Sequence, residues 1–268
     1  MANETNITWT DATWNIARGC NKVDDDCKYC YMYRESLNRS RYIPELVIKT
    51  KTVFNMPLKY KKTKSECWDG PPLIFTCSLT DFFHEGCDPF REEAWNIIRK
   101  SPHLIFQILT KRPERIKDCL PPDWGSGWDN VWLGTSVGSQ KSIERAWRLL
   151  DSPSKCYFLS LEPLHEAIDL NEAELLYENW RNRYSIGRYI DWVIVGGESG
   201  NENGLYRYRP CKIEWIEFIV NQCKKENVPV YVKQLGTHIA AHTFLKSRHG
   251  SDINEFPEHL KIREFPKL

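Results

Sequence analysis

At 268 residues, with 41% hydrophobic and 27% charged side chains, the chain has the composition of a folded protein large enough to bury most of its apolar surface. A net charge of +1 excludes a whole-molecule field that would hold it on nucleic acid or a membrane. Ten cysteines in so long a chain do not read as the disulfide framework of a short secreted domain. Met1 to Asn6 lacks the apolar core of a signal peptide and no apolar run has transmembrane length, so a reducing cytoplasm and no membrane partner are expected.

In chain order, an alternating stretch from Ile7 leads to a short first strand expected at Trp14–Ala17. It runs into Gly19 to Tyr31, where Cys20, Cys27 and Cys30 stand in the spacing Cys-x6-Cys-x2-Cys, in a loop made polar by Asn21, Asp24, Asp25 and Asp26. Three thiolates from one loop can hold three corners of a metal site and leave the fourth open. A closed structural zinc site wants four ligands. An iron–sulfur cluster on three cysteines keeps one iron free for an outside ligand. The aspartates match part of a calcium loop whose other ligand positions are missing, so they read as solvated. A helix is expected over Tyr31–Arg39. Residues 40–70 carry Lys49, Lys51, Lys59, Lys61, Lys62 and Lys64, with no acid between Glu45 and Glu66. Such a run reads first as a solvated face and second as a surface for a phosphate-rich partner.

From Leu73 onward a pattern repeats. Apolar runs at Leu73–Cys77, Leu104–Leu109, Val131–Gly134, Tyr157–Leu161, Asp191–Val195 and Val228–Val232 alternate with helical stretches near Pro89–Lys100, after Arg112, and near Lys141–Leu150 and Lys212–Glu226. Short continuous apolar runs separated by helices predict buried parallel strands. With the first strand this makes an α/β fold, a partial (open) TIM-like barrel of about six or seven parallel strands with outer helices. A doubly wound open sheet is the alternative. One domain over 1–268 is expected, with the basic segment at 40–70 and an insertion at 164–190.

Almost every apolar run ends in polar or charged residues. Asp81, Lys111, Glu162, Glu198 and Lys233 occupy equivalent places in their units, and the cysteine loop follows the first strand at the same end. Barrel enzymes carry their catalytic groups on that rim, so a shared site is expected there rather than merely polar loops. Cys77 either donates a hydrogen atom at this rim or is a small buried thiol. Gly196 and Gly197 either admit a ligand close to backbone or form a turn. His84-Glu85 lacks the second histidine of a zinc-protease helix; His84 caps a helix, contacts substrate, or is the fourth ligand of a zinc held by the cysteines. A hydrolase or lyase using Glu162 and Glu198 as acid and base is a further reading.

The loop Cys27-Lys28-Tyr29-Cys30, after a first strand and an earlier cysteine, resembles the cluster loop of the radical S-adenosylmethionine superfamily. There the usual spacing is Cys-x3-Cys-x2-Cys with an aromatic before the third cysteine. Tyr29 matches that aromatic and Cys27 and Cys30 the final pair, while the first gap is six residues. Across most of its length the chain also resembles a phage- and bacteria-associated family of unassigned activity, through Ser78–Glu85, Leu109–Arg115, Val131–Val137, Leu159–Leu164, Val195–Gly200 and Lys233–Gly236. Spore photoproduct lyase is a distant comparison within the superfamily.

The resemblance implies a 4Fe-4S cluster on Cys20, Cys27 and Cys30 and S-adenosyl-L-methionine (SAM) on its open iron. Reductive cleavage would give methionine and a 5′-deoxyadenosyl radical that takes hydrogen from substrate. Tyr29 belongs to the cofactor site, and Ser78 and Asp81 would accept from the methionine ammonium. Ser136 and Glu162 would bond ribose hydroxyls. Lys111, Arg112 and Lys233 would meet a carboxylate or substrate phosphate. Glu198 stands on the same rim, though the superfamily places its Gly-Gly-Glu after the second strand rather than this late one. An electron donor such as flavodoxin or ferredoxin, a nucleic acid or nucleotide substrate, and a substrate-presenting partner protein are the implied partners. The alternative is a non-enzymatic zinc-binding module for nucleic acid or protein.

Overall fold

The computed structural model describes residues 5–37, 43–171 and 186–267. Its strands are β1 (Ala12–Trp14), β2 (Ala17–Arg18), β3 (Ile48–Lys49), β4 (Leu73–Thr76), β5 (Ile105–Thr110), β6 (Val131–Ser136), β7 (Tyr157–Leu164), β8 (Trp192–Gly197) and β9 (Val230–Gln234). Its α-helices are α1 (Tyr31–Leu37), α2 (Asp88–Arg99), α3 (Ile116–Cys119), α4 (Glu144–Leu149), α5 (Ile213–Glu226) and α6 (Thr237–His242). β2 and β3 form a separate antiparallel pair. The other seven make one parallel sheet in the order β1-β4-β5-β6-β7-β8-β9. That sheet is an open, strongly curled half-barrel with helices around it, the expected α/β architecture.

Successive side chains on a strand point to opposite faces, and here both faces are dry. Val131 and Leu133 of β6 and Val193 and Val195 of β8 enter a large core shared with Trp95 and Ile98 of α2 and Ile216 and Ile219 of α5. Between them, Trp132, Trp192 and Ile194 face the other way, into a smaller core with Trp9, Phe75, Phe158 and Tyr231. The smaller core fills the hollow of the curled sheet. Burial on both faces is why the strands read as continuous apolar runs. Local signals mark the helix ends: Pro89 sits in the first turn of α2, and α5 stops at Asn227, a left-handed residue with φ 58°.

The first strand lies earlier than expected. Asn15 leaves the ladder because its side chain is used elsewhere, its Oδ1 accepting from the Leu79 N–H at 2.7 Å and its Nδ2 lying 3.0 Å from Ser78 Oγ. Ala17, expected in that strand, pairs with β3 instead, as does its neighbour Arg18. Lys141 and Ser142, at the start of the helix expected near Lys141–Leu150, lie in a 3-10 turn (Gln140–Ser142) rather than in α-helix. In the basic segment Lys49 pairs with Glu93 and Lys62 with Glu66 (2.6 Å). Asn38 and Arg39, at the end of the first expected helix, and residues 172–185 of the expected insertion lie outside the described residues.

Candidate functional site at the strand C-termini

Above the aromatic floor, the inward positions turn polar towards the strand ends. Ser160 and Glu162 follow Phe158 on β7, and Lys233 follows Tyr231 on β9. Across the intervening β8, Lys233 Nζ donates to both Glu162 oxygens at 2.6 and 2.8 Å. Gly196 and Gly197 serve a close approach, but to protein. A Cβ on Gly197 would lie 2.4 Å from the Leu235 carbonyl oxygen and 3.0 Å from Gly236 Cα. Both obstacles are backbone, so Gly197→Ala is expected to cost about 1–3 kcal/mol or more by pushing the ends of β8 and β9 apart. Thermal unfolding checks this; an unchanged midpoint would show that the ends are not locked.

The cysteine loop is laid over this rim and held by three arginines from three other segments. Arg112, just past β5, donates from Nη2 to the Asn21 carbonyl (2.9 Å) and from Nη1 towards Cys20 Sγ (3.6 Å) and Asp81 Oδ2 (3.3 Å). Arg145 of α4 donates to Asp26 Oδ2 (2.8 Å) and the Ser136 carbonyl (3.0 Å) and pairs with Asp24. Arg209, past β8, donates to the Asp25 carbonyl at 2.7 Å, and Glu198 grips it from behind at 2.7 and 2.9 Å. Asp26 is buried, with the Gly138 N–H (3.1 Å) and His165 Nε2 (2.8 Å) as further partners. Burial alone would raise its carboxyl. Bonds to His165 and Ser142, the Arg145 charge and the Gly138 N–H outweigh it, so the group is held well below the usual carboxylate range. The expected solvated acidic run is therefore an anchor, since Asp24 and Asp26 are spent on scaffold cations.

What remains on the loop for chemistry is sulfur. Cys20, Cys27 and Cys30 are free thiols. Burial, then Asp81, pushes the Cys20 thiol up to about 12, with Arg112 opposing. Burial also raises Cys30, against the field of Lys111. These sulfurs suit a partner that supplies positive charge. Among the described residues no three His, Cys, Asp or Glu side chains converge as ligands of one metal ion. A mononuclear zinc draws its sulfurs to about 2.3 Å from one point, whereas a cubane gives each cysteine its own iron and does not need that convergence. The donor set, three thiols with Arg112 and Lys111 near, is one that fits a cluster held by three cysteines.

Other expected site residues are placed as follows. Tyr29 lies under Arg209 and Lys28, with the cations 5.8 and 5.3 Å from its ring centre. Ser78 Oγ bonds Asn15. Asp81 is buried and engaged by Thr110 Oγ1, the Lys111 and Phe83 N–H groups and Arg112, so it ties the end of β4 to the end of β5. Ser136 ends β6 and is buried. Lys111 makes no ion pair among the described residues. The Glu198 carboxylate is committed to Arg209 rather than facing a ligand. Cys77 turns inward at φ 69° and packs in the core with Cys87, so its thiol faces away from the rim. Burial raises that thiol well above its usual range. Both His84 ring nitrogens are occupied, Nε2 against Asn21 Oδ1 (2.8 Å) and Nδ1 by the Gly86 N–H (2.9 Å). It caps a turn and is not poised as a fourth zinc ligand. Arg145, Arg209 and His165 do not stand out in the sequence, and Asp26 reads there only as solvated. The signal was three acids beside the thiols, a charge excess that a folded rim must answer with cations.

A family model described as "Protein of unknown function (DUF5131)" matches residues 4–259. No curated protein matches the sequence. Among solved structures, a spore photoproduct lyase with a tyrosine-to-phenylalanine mutation superposes with a TM-score of 0.54 at 10% identity, covering 86% of this chain and 78% of that one. A cysteine-to-serine mutant of spore photoproduct lyase gives 0.48 at 11%, over 75% of this chain and 60% of that one. A cysteine-to-alanine mutant with dinucleoside spore photoproduct gives 0.48 at 12%, over 84% and 64%. The chain thus spans less than two thirds of the length of two of these three. The first likeness is one of fold.

Proposed function

The chain belongs to the DUF5131 family of proteins of unknown function, and we propose that it is a radical SAM enzyme with a 4Fe-4S cluster on Cys20, Cys27 and Cys30. One observation carries the reading: a three-cysteine loop, reached from the first strand of an open parallel half-barrel through the short β2, is clamped by cations over the rim where such folds do chemistry. The cofactors, when bound, supply one-electron cleavage of SAM and hydrogen abstraction from substrate. This chain's residues hold and shield them. Arg112 directs an N–H at the Cys20 sulfur, Arg145 and Arg209 fix the loop's path, and the aromatic floor closes the hollow beneath the Glu162–Lys233 pair. Lys111, which makes no ion pair among the described residues, favours an anionic substrate, of which a nucleotide or nucleic acid is the class proposed, while Lys233 is already paired with Glu162. A flavodoxin- or ferredoxin-type donor would deliver the electron. No helix among the described residues is long and apolar enough to cross a membrane.

Anaerobic reconstitution tests the reading. The protein is expected to take up about four irons per chain and, with dithionite and SAM, to release 5′-deoxyadenosine. Cys27→Ala is expected to lose both. SAM cleavage at the parental rate in that variant would overturn the assignment.

A further inference from the structure

Away from the cysteine loop, α6 presents a pair of histidines that the proposed chemistry does not use. His238 and His242 stand four residues apart, on one side of the helix. Their ring centres are 4.3 Å apart with planes inclined at 33°. The inner nitrogen of each ring, Nδ1, is already engaged. His238 Nδ1 lies 3.0 Å from the Cys211 carbonyl oxygen, and His242 Nδ1 lies 2.7 Å from the His238 carbonyl oxygen. A carbonyl oxygen only accepts, so each Nδ1 carries the proton and each neutral ring keeps its lone pair on Nε2. Metal-binding imidazoles are held in this way, one nitrogen donating to a carbonyl and fixing the tautomer while the other stays free for the ion.

The spacing suits a shared ion. Two nitrogens each about 2.0–2.1 Å from one metal lie roughly 3 Å from each other, a spacing within reach of two tilted rings whose centres are 4.3 Å apart once they turn towards a common point. His242 is exposed and His238 half-buried, so an ion has access from solvent. Neither side chain forms an ion pair among the described residues, and no third His, Cys, Asp or Glu converges on them. Neutral imidazole selects ions of the zinc, nickel and copper class over magnesium or calcium. We propose that His238 and His242 chelate one divalent transition-metal ion through their Nε2 atoms, with water in its remaining positions. Through the Cys211 carbonyl the ion would brace the segment that follows Arg209 against α6.

Nickel(II) is the probe, titrated calorimetrically into the full chain and into a Cys20→Ser/Cys27→Ser/Cys30→Ser chain that cannot bind metal through the cysteine loop. One Ni²⁺ per chain is expected in this triple-serine background. His242→Ala should weaken it by about tenfold or more, while His259→Ala, on the remote Glu217 pair, leaves it unchanged. Paramagnetic broadening read by NMR on the parent chain guards against variants that fail to fold: the His238 and His242 ring protons should broaden before those of other histidines. Undiminished binding in His242→Ala, no saturable binding in the triple-serine chain, or first broadening elsewhere would overturn the site.

Discussion

Replacing Arg145 by methionine is expected to destabilise the protein by about 3–5 kcal/mol, because the buried Asp26 carboxylate would lose its cation. For a chain of this size that is a fall of roughly 10 °C in the unfolding midpoint. Methionine keeps much of the arginine stem's packing, so the loss reports charge and hydrogen bonds rather than a cavity. Adding Asp26→Asn should restore much of it, since a neutral amide can still accept from Gly138 and no buried charge is left alone. Chemical denaturation of the parent, both single variants and the double variant supplies the cycle. The Cys27 thiol should also react faster with a soluble disulfide in Arg145→Met, the loop having lost an anchor. A midpoint within about 2 °C of the parent, equivalent to less than 1 kcal/mol, would show that the loop is held by its other ties alone.

The clamp has an order. Arg112, Arg145 and Arg209 follow β5, β6 and β8, so the loop from β1 is tied to segments spread across the sheet. β1 has three residues and a single sheet neighbour, β4. So short an edge strand, even with the two-residue β2 that leads into the loop, cannot by itself orient the twelve residues beginning at Gly19. The arginines supply what the strand lacks, and they do so through Asn21, Asp24, Asp25 and Asp26, which stand between Cys20 and Cys27. The long first gap in the cysteine motif is therefore occupied by anchoring residues, a physical reason for its length.

The repeating units were legible because strands buried on both faces must be apolar throughout, and each of the six later runs became a strand within three residues of its expected limits. Asn15 shows why the first was misplaced: its side chain captures the Leu79 N–H, a contact 64 residues away that no local pattern announces. The rim was legible as a set of polar strand ends, but the partners of those residues were not. Asp81 and Glu198 look like ligand groups in sequence and are committed to Thr110, Arg112 and Arg209 in the fold. Cys77 shares its rim position but points inward because the left-handed turn there reverses the side chain. Long-range electrostatic pairing, which depends on which loops become neighbours, is the part a one-dimensional reading loses.

Trp192→Ala is expected to cost about 3–5 kcal/mol, the loss of a fully buried indole that its surroundings cannot refill. Its ring lies 5.3 to 6.2 Å from those of Trp9, Trp132, Phe158, Tyr231 and Phe265, the last stacked at 26°. Its Nε1 donates to the Glu264 carbonyl at 2.8 Å, so the same residue draws the C-terminal segment across the base of the hollow. Truncation would open a void there and leave that carbonyl without its donor, two penalties that add. Trp192→Phe should lose the hydrogen bond and only part of the volume, placing it between the parent and alanine. Phe244→Ala, at a side chain 91% exposed, should change nothing beyond about 0.5 kcal/mol. Denaturant unfolding of the three variants measures the ranking. If alanine and phenylalanine at position 192 proved equally mild, the aromatic floor would not be what closes the hollow below the Glu162–Lys233 pair.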